Sequence, residues 1–523
     1  MADNRIWHNR LLDNLQRALA GDVAGEVVRI ETHISTVLLA GDYAYKIKKP
    51  IDLGFLDFST LERRYFCCQE EVRLNGRLAP SIYLGVVPVT GSLDNPSLEG
   101  QGETIDYAVR MRRFSQSGLL SNQLDTLDSG LIDNLALVLA QFHAGIARAT
   151  ESQSFGEPQK VLFPMQQNFD QIRALIEGTQ EREQLARLQS WTVARFGELE
   201  DVLLQRKKKG FVRECHGDLH LGNIALEDGK PIIFDGIEFN PDLRWIDTMS
   251  ELAFLLMDLE ENGRPELAQR LLNRYLEACG DFDGMCLLRF YQVYRAMVRA
   301  KVAAIRLTQP DLLEQQRLEL QAEFDAYLRR ASGYTRPNSP ALIITHGLSG
   351  SGKSTVTADL LMNIPAIRLR SDIERKRLAG LAPRADSGSA LGNGIYSADF
   401  TEKTYQRLLE LSGRLLQAGF VVIVDATLLK LGQRRWFREL AAQHGVPFLI
   451  LHFVVPEAEL RHRIERRVTQ GEGVSEAGLA VLDVQLKGAE PIGVDEQSQV
   501  LEIRPEQPLE VAEVKRRLIC RSD

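Results

Sequence analysis

No stretch of this chain comes near the roughly 20 consecutive apolar residues that a membrane helix requires. The N-terminus, MADNRIWHNRLLDNLQ, is polar and amphipathic and lacks the apolar core of a secretory signal. Cysteine is scarce: Cys67, Cys68, Cys215, Cys279, Cys286 and Cys520 form no CxxC pair and no framework spacing. That excludes a disulfide scaffold and leaves free thiols in a reducing cytoplasm as the expectation. Positive charge is not in excess, since 63 Lys and Arg against 71 Asp and Glu leave a net −8. This balance argues against nucleic acid as a bulk partner; only a local basic groove would reverse it. No internal repeat and no low-complexity tract occurs.

What is present is the composition of a soluble globular protein, 44% hydrophobic and 26% charged. At 523 residues the chain exceeds one ordinary core, so two or three domains are expected. The most informative stretch is ALIITHGLSGSGKST, Ala341 to Thr355. A short β-branched apolar run leads into G-x-x-x-x-G-K-[ST], met at Gly347, Gly352, Lys353 and Ser354. Glycines let successive N–H groups curl around a phosphate, and the helix that follows points its positive end at the same anion. Gly347, Ser349, Gly350, Ser351, Gly352, Lys353, Ser354 and Thr355 are therefore the expected nucleotide contacts. Lys353 reaches the outer phosphates, and the Ser354 hydroxyl holds Mg²⁺. ATP and Mg²⁺ are the expected cofactors.

Ahead of this motif the pattern is sheet-rich to about residue 114 and mostly helical from about 115 to 333. Strands are expected at Val27–Ile30, Thr36–Leu39, Tyr43–Ile47, Ile82–Val89 and Tyr107–Arg113, with helices at 1–25 and Gln69–Leu78. In the helical part, one long helical run is read from Leu287 to Leu328. Ser332 to Pro340, SGYTRPNSP, reads as a linker between domains 1–333 and 338–523. After it strands alternate with helices, the signature of a parallel α/β sheet. Those strands are Ala341–Thr345, Ile367–Arg370, Val421–Asp425, Phe448–Val455 and Val500–Ile503.

A second constellation lies in CHGDLHLGNIALEDGKPIIFDGIEF, Cys215 to Phe239. Asp218 and Asn223 share a tight loop, and a hairpin through Glu227-Asp228-Gly229 returns the chain to Asp235. Two carboxylates and an amide gathered this way suit phosphoryl transfer, one acid orienting a hydroxyl while the others hold Mg²⁺. HGDLHLGN followed by IIFDGIEF resembles the catalytic and metal-binding segments of the aminoglycoside phosphotransferase family, which has the protein-kinase-like α+β fold. The resemblance implies Asp218 as catalytic base and Asn223 and Asp235 as magnesium ligands. It implies Lys46 as the small-lobe lysine on the α- and β-phosphates, with Lys48 on the same strand face as competitor. Glu71 is implied as the partner of that lysine, with Glu70 and Glu62 close by. His220 reads as a structural loop residue. Between the first strands stands THISTV rather than G-x-G-x-x-G.

In the second half, Asp372 falls just past the second strand, where the carboxyl ends of an open α/β sheet face the ligand crevice. It reads either as the base for a substrate hydroxyl or as an N-cap. Arg375, one turn on, is a candidate anchor for an anionic substrate. VVIVDAT closes a strand on Asp425 in the manner of a Walker B acid that steadies Mg²⁺. Arg463 and Arg467, at i,i+4 spacing in LRHRIERR, are either a solvated basic face or lid arginines that close on transferring phosphate. These motifs resemble the P-loop kinases of the zeta-toxin, gluconate-kinase and polynucleotide-kinase type. The order of the two halves resembles a family of bacterial bifunctional proteins. It implies ATP-dependent transfer to small hydroxylated molecules at two sites. The alternatives are a polynucleotide 5′-kinase in the second half, or an ATP-gated regulatory or toxin-like module.

Overall fold

The computed structural model describes residues 2–22, 26–52, 54, 56–309, 312–337, 339–383, 385, 387, 394–470, 478–504, 506–507 and 509–519. These fall into two compact units. The first comprises residues 1–262 and 290–334, the second residues 263–289 and 335–523.

The first unit opens with α1 (Ala2–Asp22), whose Leu11, Leu12, Leu15 and Leu19 form one buried stripe at helical spacing. That stripe packs on a six-stranded antiparallel sheet against Leu38, Ile47, Val87 and Ala108. The strands are β1 (Val28–Glu31), β2 (Ser35–Ala40) and β3 (Tyr43–Lys48), then, beyond α2 (Leu61–Asn75), β4 (Tyr83–Ser92), β5 (Asn95–Leu98) and β6 (Thr104–Arg112). Their order is β1-β2-β3-β6-β4-β5. Helix α2 starts well before the expected Gln69, because Thr60 caps it by accepting the Arg63 N–H. Strand β5 is absent from the sequence reading. Asn and Pro are poor strand formers, and Pro96 is tolerated because β5 is an edge strand that needs no donor on its free side.

The chain continues through α3 (Ser129–Gly145), α4 (Pro158–Leu175), α5 (Thr179–Lys208) and β7 (Val212–Glu214). The expected hairpin is present as β8 (Ile224–Glu227) and β9 (Lys230–Ile233), turned by Asp228 and Gly229 at positive φ. Then come α6 (Pro241–Arg244), β10 (Trp245–Asp247) and α7 (Thr248–Glu261). Helix α8 (Pro265–Cys279) clusters with the second unit, although the sequence reading places it in domain 1–333. The run read as one helix from Leu287 to Leu328 is two, α9 (Met285–Leu307) and α10 (Glu314–Tyr334). Residues of α4, α5, α7, α9 and α10, among them Phe169, Leu188, Phe254, Met297 and Phe324, make the helical core.

The second unit carries a five-stranded parallel sheet, ordered β12-β13-β11-β14-β15. Its elements in chain order are β11 (Leu342–His346), α11 (Lys353–Leu361), β12 (Ala366–Arg370), α12 (Ser371–Leu378), α13 (Ala398–Gln417) and β13 (Val421–Asp425). They continue with α14 (Leu431–Gln443), β14 (Phe448–Phe453), α15 (Glu457–Gln470), α16 (Leu479–Gly488), β15 (Val500–Ile503) and α17 (Val511–Arg517). Strand β11 is buried along its whole length, as a central parallel strand must be. It lies between β13 and β14, so the loops after β11 and β13 leave the same edge of the sheet side by side. Among the described residues no helix is long and apolar enough to cross a membrane.

Candidate active sites

In the first unit, β3 and α2 bring a lysine and a glutamate together. Lys46 Nζ lies 2.9 Å from Glu71 Oε1 and 2.5 Å from Asp235 Oδ1. Lys48, two residues along the same strand face, also reaches Glu71, at 2.7 Å, but pairs onward with Glu238 rather than Asp235. Both lysines therefore share Glu71, and of the two it is Lys46 that touches Asp235, two residues past β9. Glu70 is taken by Arg73 and Arg244, and Glu62 is exposed in the first turn of α2. Burial alone would lower the Lys46 pKa, but Asp235 and Glu71 outweigh it and hold the ammonium well above its ordinary value.

The loop Cys215–Asn223 is held from behind by buried groups. His216 Nδ1 accepts the Asp218 N–H at 3.3 Å, which leaves Nε2 to donate to the Phe234 carbonyl at 2.8 Å. That bond ties the Asp218 loop to the Asp235 loop. Gly217, at φ +88, donates its N–H to Glu251 Oε2 at 2.7 Å, and a Cβ there would meet the Leu243 carbonyl at 2.8 Å. Asn223 Nδ2 donates to both the backbone oxygen and the carboxylate of Asp218. His220, set aside in the sequence reading, lies with Nε2 3.4 Å from Asp218 Oδ2. Desolvation would raise the Asp218 pKa, but His220, His216 and Arg295 hold it well below the carboxylate range, and the same pair raises His220. Asp235 sits at φ +62, its N–H donated to the Tyr83 hydroxyl at 3.1 Å, with its side chain about half exposed at 45%.

In the second unit, Gly350 and Gly352 take φ +83 and +88 in the loop between β11 and α11. A Cβ on Gly350 would also meet Ile464 and the Leu460 carbonyl of α15 at 3.1 Å, so the loop packs directly under that helix. Lys353 Nζ donates to the Gly347 and Leu348 carbonyls at 2.9 and 2.7 Å and lies 3.2 Å from Ser351 Oγ. Burial lowers its pKa to about 8, against the pull of Asp425 and Asp372. The Ser349 N–H goes to Gln485 Oε1 of α16 at 2.8 Å, a partner no motif announces. Ser354 and Thr355 are exposed on the first turn of α11, and Asp425 is buried at the end of β13, accepting from Thr357 Oγ1 at 3.4 Å.

Asp372 stands in the first turn of α12 and does not cap it. Arg370 occupies the cap position and makes no side-chain cap bond. Leu460 and Ile464 form the buried face of α15, and Arg463 and Arg467 of that helix part company. Arg463 pairs with Glu459 of its own helix at 2.6 Å. Arg467 is half-buried, its pKa lowered by that burial against the opposing charge of Asp372 and Tyr396. Arg375, the candidate substrate anchor, is enclosed by protein groups. It is 7% exposed, donates to the Ile395 carbonyl at 2.7 Å and Thr401 Oγ1 at 3.0 Å, and faces the Tyr396 ring. Its guanidinium ties α12 to the start of α13.

The site donors fit a hard divalent cation. Asn223 spends only its Nδ2 on Asp218, which leaves its amide oxygen to join the Asp235 carboxylate. In the second unit, the Ser354 hydroxyl and the Asp425 carboxylate make the same oxygen-only set.

Two family models match the chain, the first of them running through α8. Residues 68–288 match the phosphotransferase enzyme family, and residues 342–492 match an AAA domain. Uncharacterized protein Rv2004c of Mycobacterium tuberculosis is 32% identical over 414 residues, 79% of this chain and 80% of that protein. Uncharacterized protein Mb2027c of Mycobacterium bovis matches over the same extent. Among solved structures, the amicoumacin kinase hAmiN complex with AMP-PNP, Ca²⁺ and Ami is 14% identical at a TM-score of 0.37, covering 58% of this chain and 88% of that one. A gluconokinase from Sinorhizobium meliloti is 21% identical at a TM-score of 0.25, covering 35% and 90%. The chain belongs to the family of Rv2004c, and in this chain a phosphotransferase domain of protein-kinase-like fold is followed by a parallel α/β P-loop domain.

Proposed function

We propose that the chain is a bifunctional ATP-dependent phosphotransferase, with two separate Mg²⁺-dependent sites that each move the γ-phosphoryl group to a hydroxyl of a small molecule. The observation that supports this reading is that each unit has its own lysine near carboxylates: Lys46 beside Glu71 and Asp235, and Lys353 in the loop after β11 with Asp425 ending the adjoining β13. In the first unit, Lys46, oriented by Glu71, meets the α- and β-phosphates. Asn223 and Asp235 would hold Mg²⁺, which when bound neutralises charge on the phosphates. Asp218 is ionised throughout the physiological range, so it acts by accepting from and orienting the acceptor hydroxyl rather than by stripping its proton early.

In the second unit, the loop from Gly347 to Thr355 cradles the triphosphate through its N–H groups. Lys353 swings from its carbonyl partners to the outer phosphates, and Ser354 with Asp425 would hold Mg²⁺. Asp372 is the acceptor base at the carboxyl edge of the sheet. Of Arg463 and Arg467, the second is the candidate to meet charge on the transferring group, since it is half-buried while Arg463 pairs with Glu459 of its own helix. Arg375 contributes by fixing α12. The domains so used are 1–333 and 338–523, with α8 lent to the second. The acceptors are small hydroxylated molecules. ATP consumption by the intact chain, screened against sugars, aminoglycosides, nucleosides and nucleotide-sugars, tests the reading. One acceptor should depend on Asp218 and another on Lys353. Saturable turnover with no member of these classes would favour an ATP-gated module instead.

A further inference from the structure

We propose that Glu277 of α8 is a positioning residue of the P-loop site, holding Arg368 and Arg370 so that the Asp425 carboxylate stays available to Mg²⁺. The inference rests on the reading of the second unit given above.

Helix α8 is built onto β12, the edge strand of the parallel sheet. The Arg368 N–H donates to Asn273 Oδ1 at 2.8 Å, and Asn273 Nδ2 donates to the Ala366 carbonyl at 2.9 Å, joined there by Gln269 Nε2. One side-chain amide thus satisfies the donor and acceptor that a neighbouring strand would otherwise meet. The far end of α8 is fixed as well. Arg377 of α12 donates to the Glu277 carbonyl at 2.8 Å, and Gly280 closes the helix at φ +75, where a Cβ would lie 2.3 Å from Arg377 Nη1.

So placed, Glu277 is 3% exposed and surrounded by arginines. Its Oε1 lies 2.8 Å from Arg368 Nη2, and its Oε2 lies 2.7 Å from Arg274 Nη1 and 3.9 Å from Arg370 Nη1. Both Arg368 and Arg370 continue toward the phosphate-binding elements. Arg368 Nη1 donates to the Ser354 carbonyl at 3.1 Å and to Thr357 Oγ1 at 3.3 Å, and Thr357 reaches Asp425. Arg370 stands beside Asp425 in the parallel register of β12 and β13, with Nε 3.7 Å from Asp425 Oδ2. Arg370 thus has two carboxylate neighbours, Glu277 and Asp425, at nearly equal distance. A carboxylate paired with a guanidinium is a poorer ligand for a hard cation than a free one. Removing the Glu277 charge leaves Asp425 as the remaining carboxylate for Arg370, which then competes with Mg²⁺. The linker between the halves does not mark this dependence, because Glu277 precedes it in sequence.

The test uses the full-length chain. ATP binding that disappears in Lys353→Ala is followed by calorimetry at stepped Mg²⁺ concentrations, with a melting curve for each variant. Glu277→Gln should raise the Mg²⁺ needed for half-maximal ATP binding by about 10- to 100-fold, the usual effect of losing an outer-shell partner. Adding Arg370→Gln to that variant should restore most of the loss, which a purely structural role for Glu277 would not allow. If Glu277→Gln does not fold, Arg370→Gln alone decides, since removing the competitor should lower the Mg²⁺ requirement below that of the parent. A folded Glu277→Gln with the parental requirement, a double variant no better than the single, or an unchanged Arg370→Gln overturns the inference while leaving the P-loop reading intact. A parent with no Lys353-dependent, Mg²⁺-dependent ATP binding overturns both.

Discussion

Asn223 donates through one nitrogen to two atoms of Asp218, the backbone oxygen at 2.9 Å and Oδ2 at 3.1 Å. The two residues are thus a single unit, in which the amide that would face the metal also fixes the acid that would face the acceptor. Asp218→Asn should lower turnover at this site by roughly 10²–10⁴-fold, the range for loss of acid–base assistance, while ATP affinity stays close to that of the parent. Asp235→Asn should instead weaken Mg²⁺–ATP binding. Calorimetry beside steady-state kinetics separates the two, and equal losses of affinity would refute the division of roles.

Lys46 and Lys48 should differ in kind. Lys48 is fully buried between Glu71 and Glu238, so Lys48→Met strands Glu238 and should cost about 3–5 kcal/mol of stability. Lys46→Met leaves Glu71 with Lys48, and leaves Asp235 partly in water. It should unfold closer to the parent while losing nucleotide affinity in the first unit. Urea denaturation ranks the two; a Lys46 variant less stable than the Lys48 variant contradicts this account.

Nucleotide binding in the second unit should take up protons above pH 8. Lys353, lowered by burial to about 8, is largely neutral at pH 9, and a polyphosphate requires the ammonium. The free state therefore binds fewer protons than the complex there, and affinity should fall toward a limit of about tenfold per pH unit as pH rises past 8. Below pH 7 the lysine is already charged and the dependence should vanish. Calorimetry in buffers of different ionisation enthalpy counts the proton directly, and zero uptake at pH 9 would be the contrary result.

Asp372 and Arg467 should matter to turnover where Arg463 does not. Asp372 is not the cap of α12, so Asp372→Asn tests chemistry with little structural cost. Turnover at the Lys353 site should drop roughly 10²–10⁴-fold with ATP binding retained. Arg467→Met should also reduce turnover. Arg463→Met should stay near the parent, because among the described residues it breaks a helix-surface pair with Glu459 worth about 0.3–0.5 kcal/mol. Parental turnover in both arginine variants would leave neither with a role in transfer, and equal losses in both would overturn the distinction between them.

Local chemistry was legible in the sequence wherever neighbours in the chain do the work. The loop from Gly347 to Ser354 needs left-handed glycines and a helix N-terminus at fixed spacing, so its residues declare it, and Gly350 and Gly352 are in that conformation. The Leu11, Leu12, Leu15 and Leu19 stripe and the Asp228-Gly229 hairpin are local for the same reason. A strand made of Asn, Pro, Ser and Leu was not legible, because only its place at the sheet edge makes β5 a strand.

Pairings across the fold were decided by tertiary structure alone. Lys46 and Lys48 have the same spacing, face and chemistry in the sequence; what separates them is that Lys46 meets Asp235 and Lys48 meets Glu238, each nearly two hundred residues away. Arg463 and Arg467 are likewise equivalent on a helix surface until packing leaves one paired with Glu459 and half-buries the other. Helix α8 is the extreme case. Its sequence says only that it is an amphipathic helix, and the use of Asn273 and Glu277 on β12 follows from an unpaired sheet edge and two arginines that no local pattern places beside it. The sequence determined which chemistry the chain carries, because those motifs act through adjacent backbone. The tertiary structure decided which partners each of several identical side chains meets, because charge and hydrogen-bond partners are chosen by distance in space.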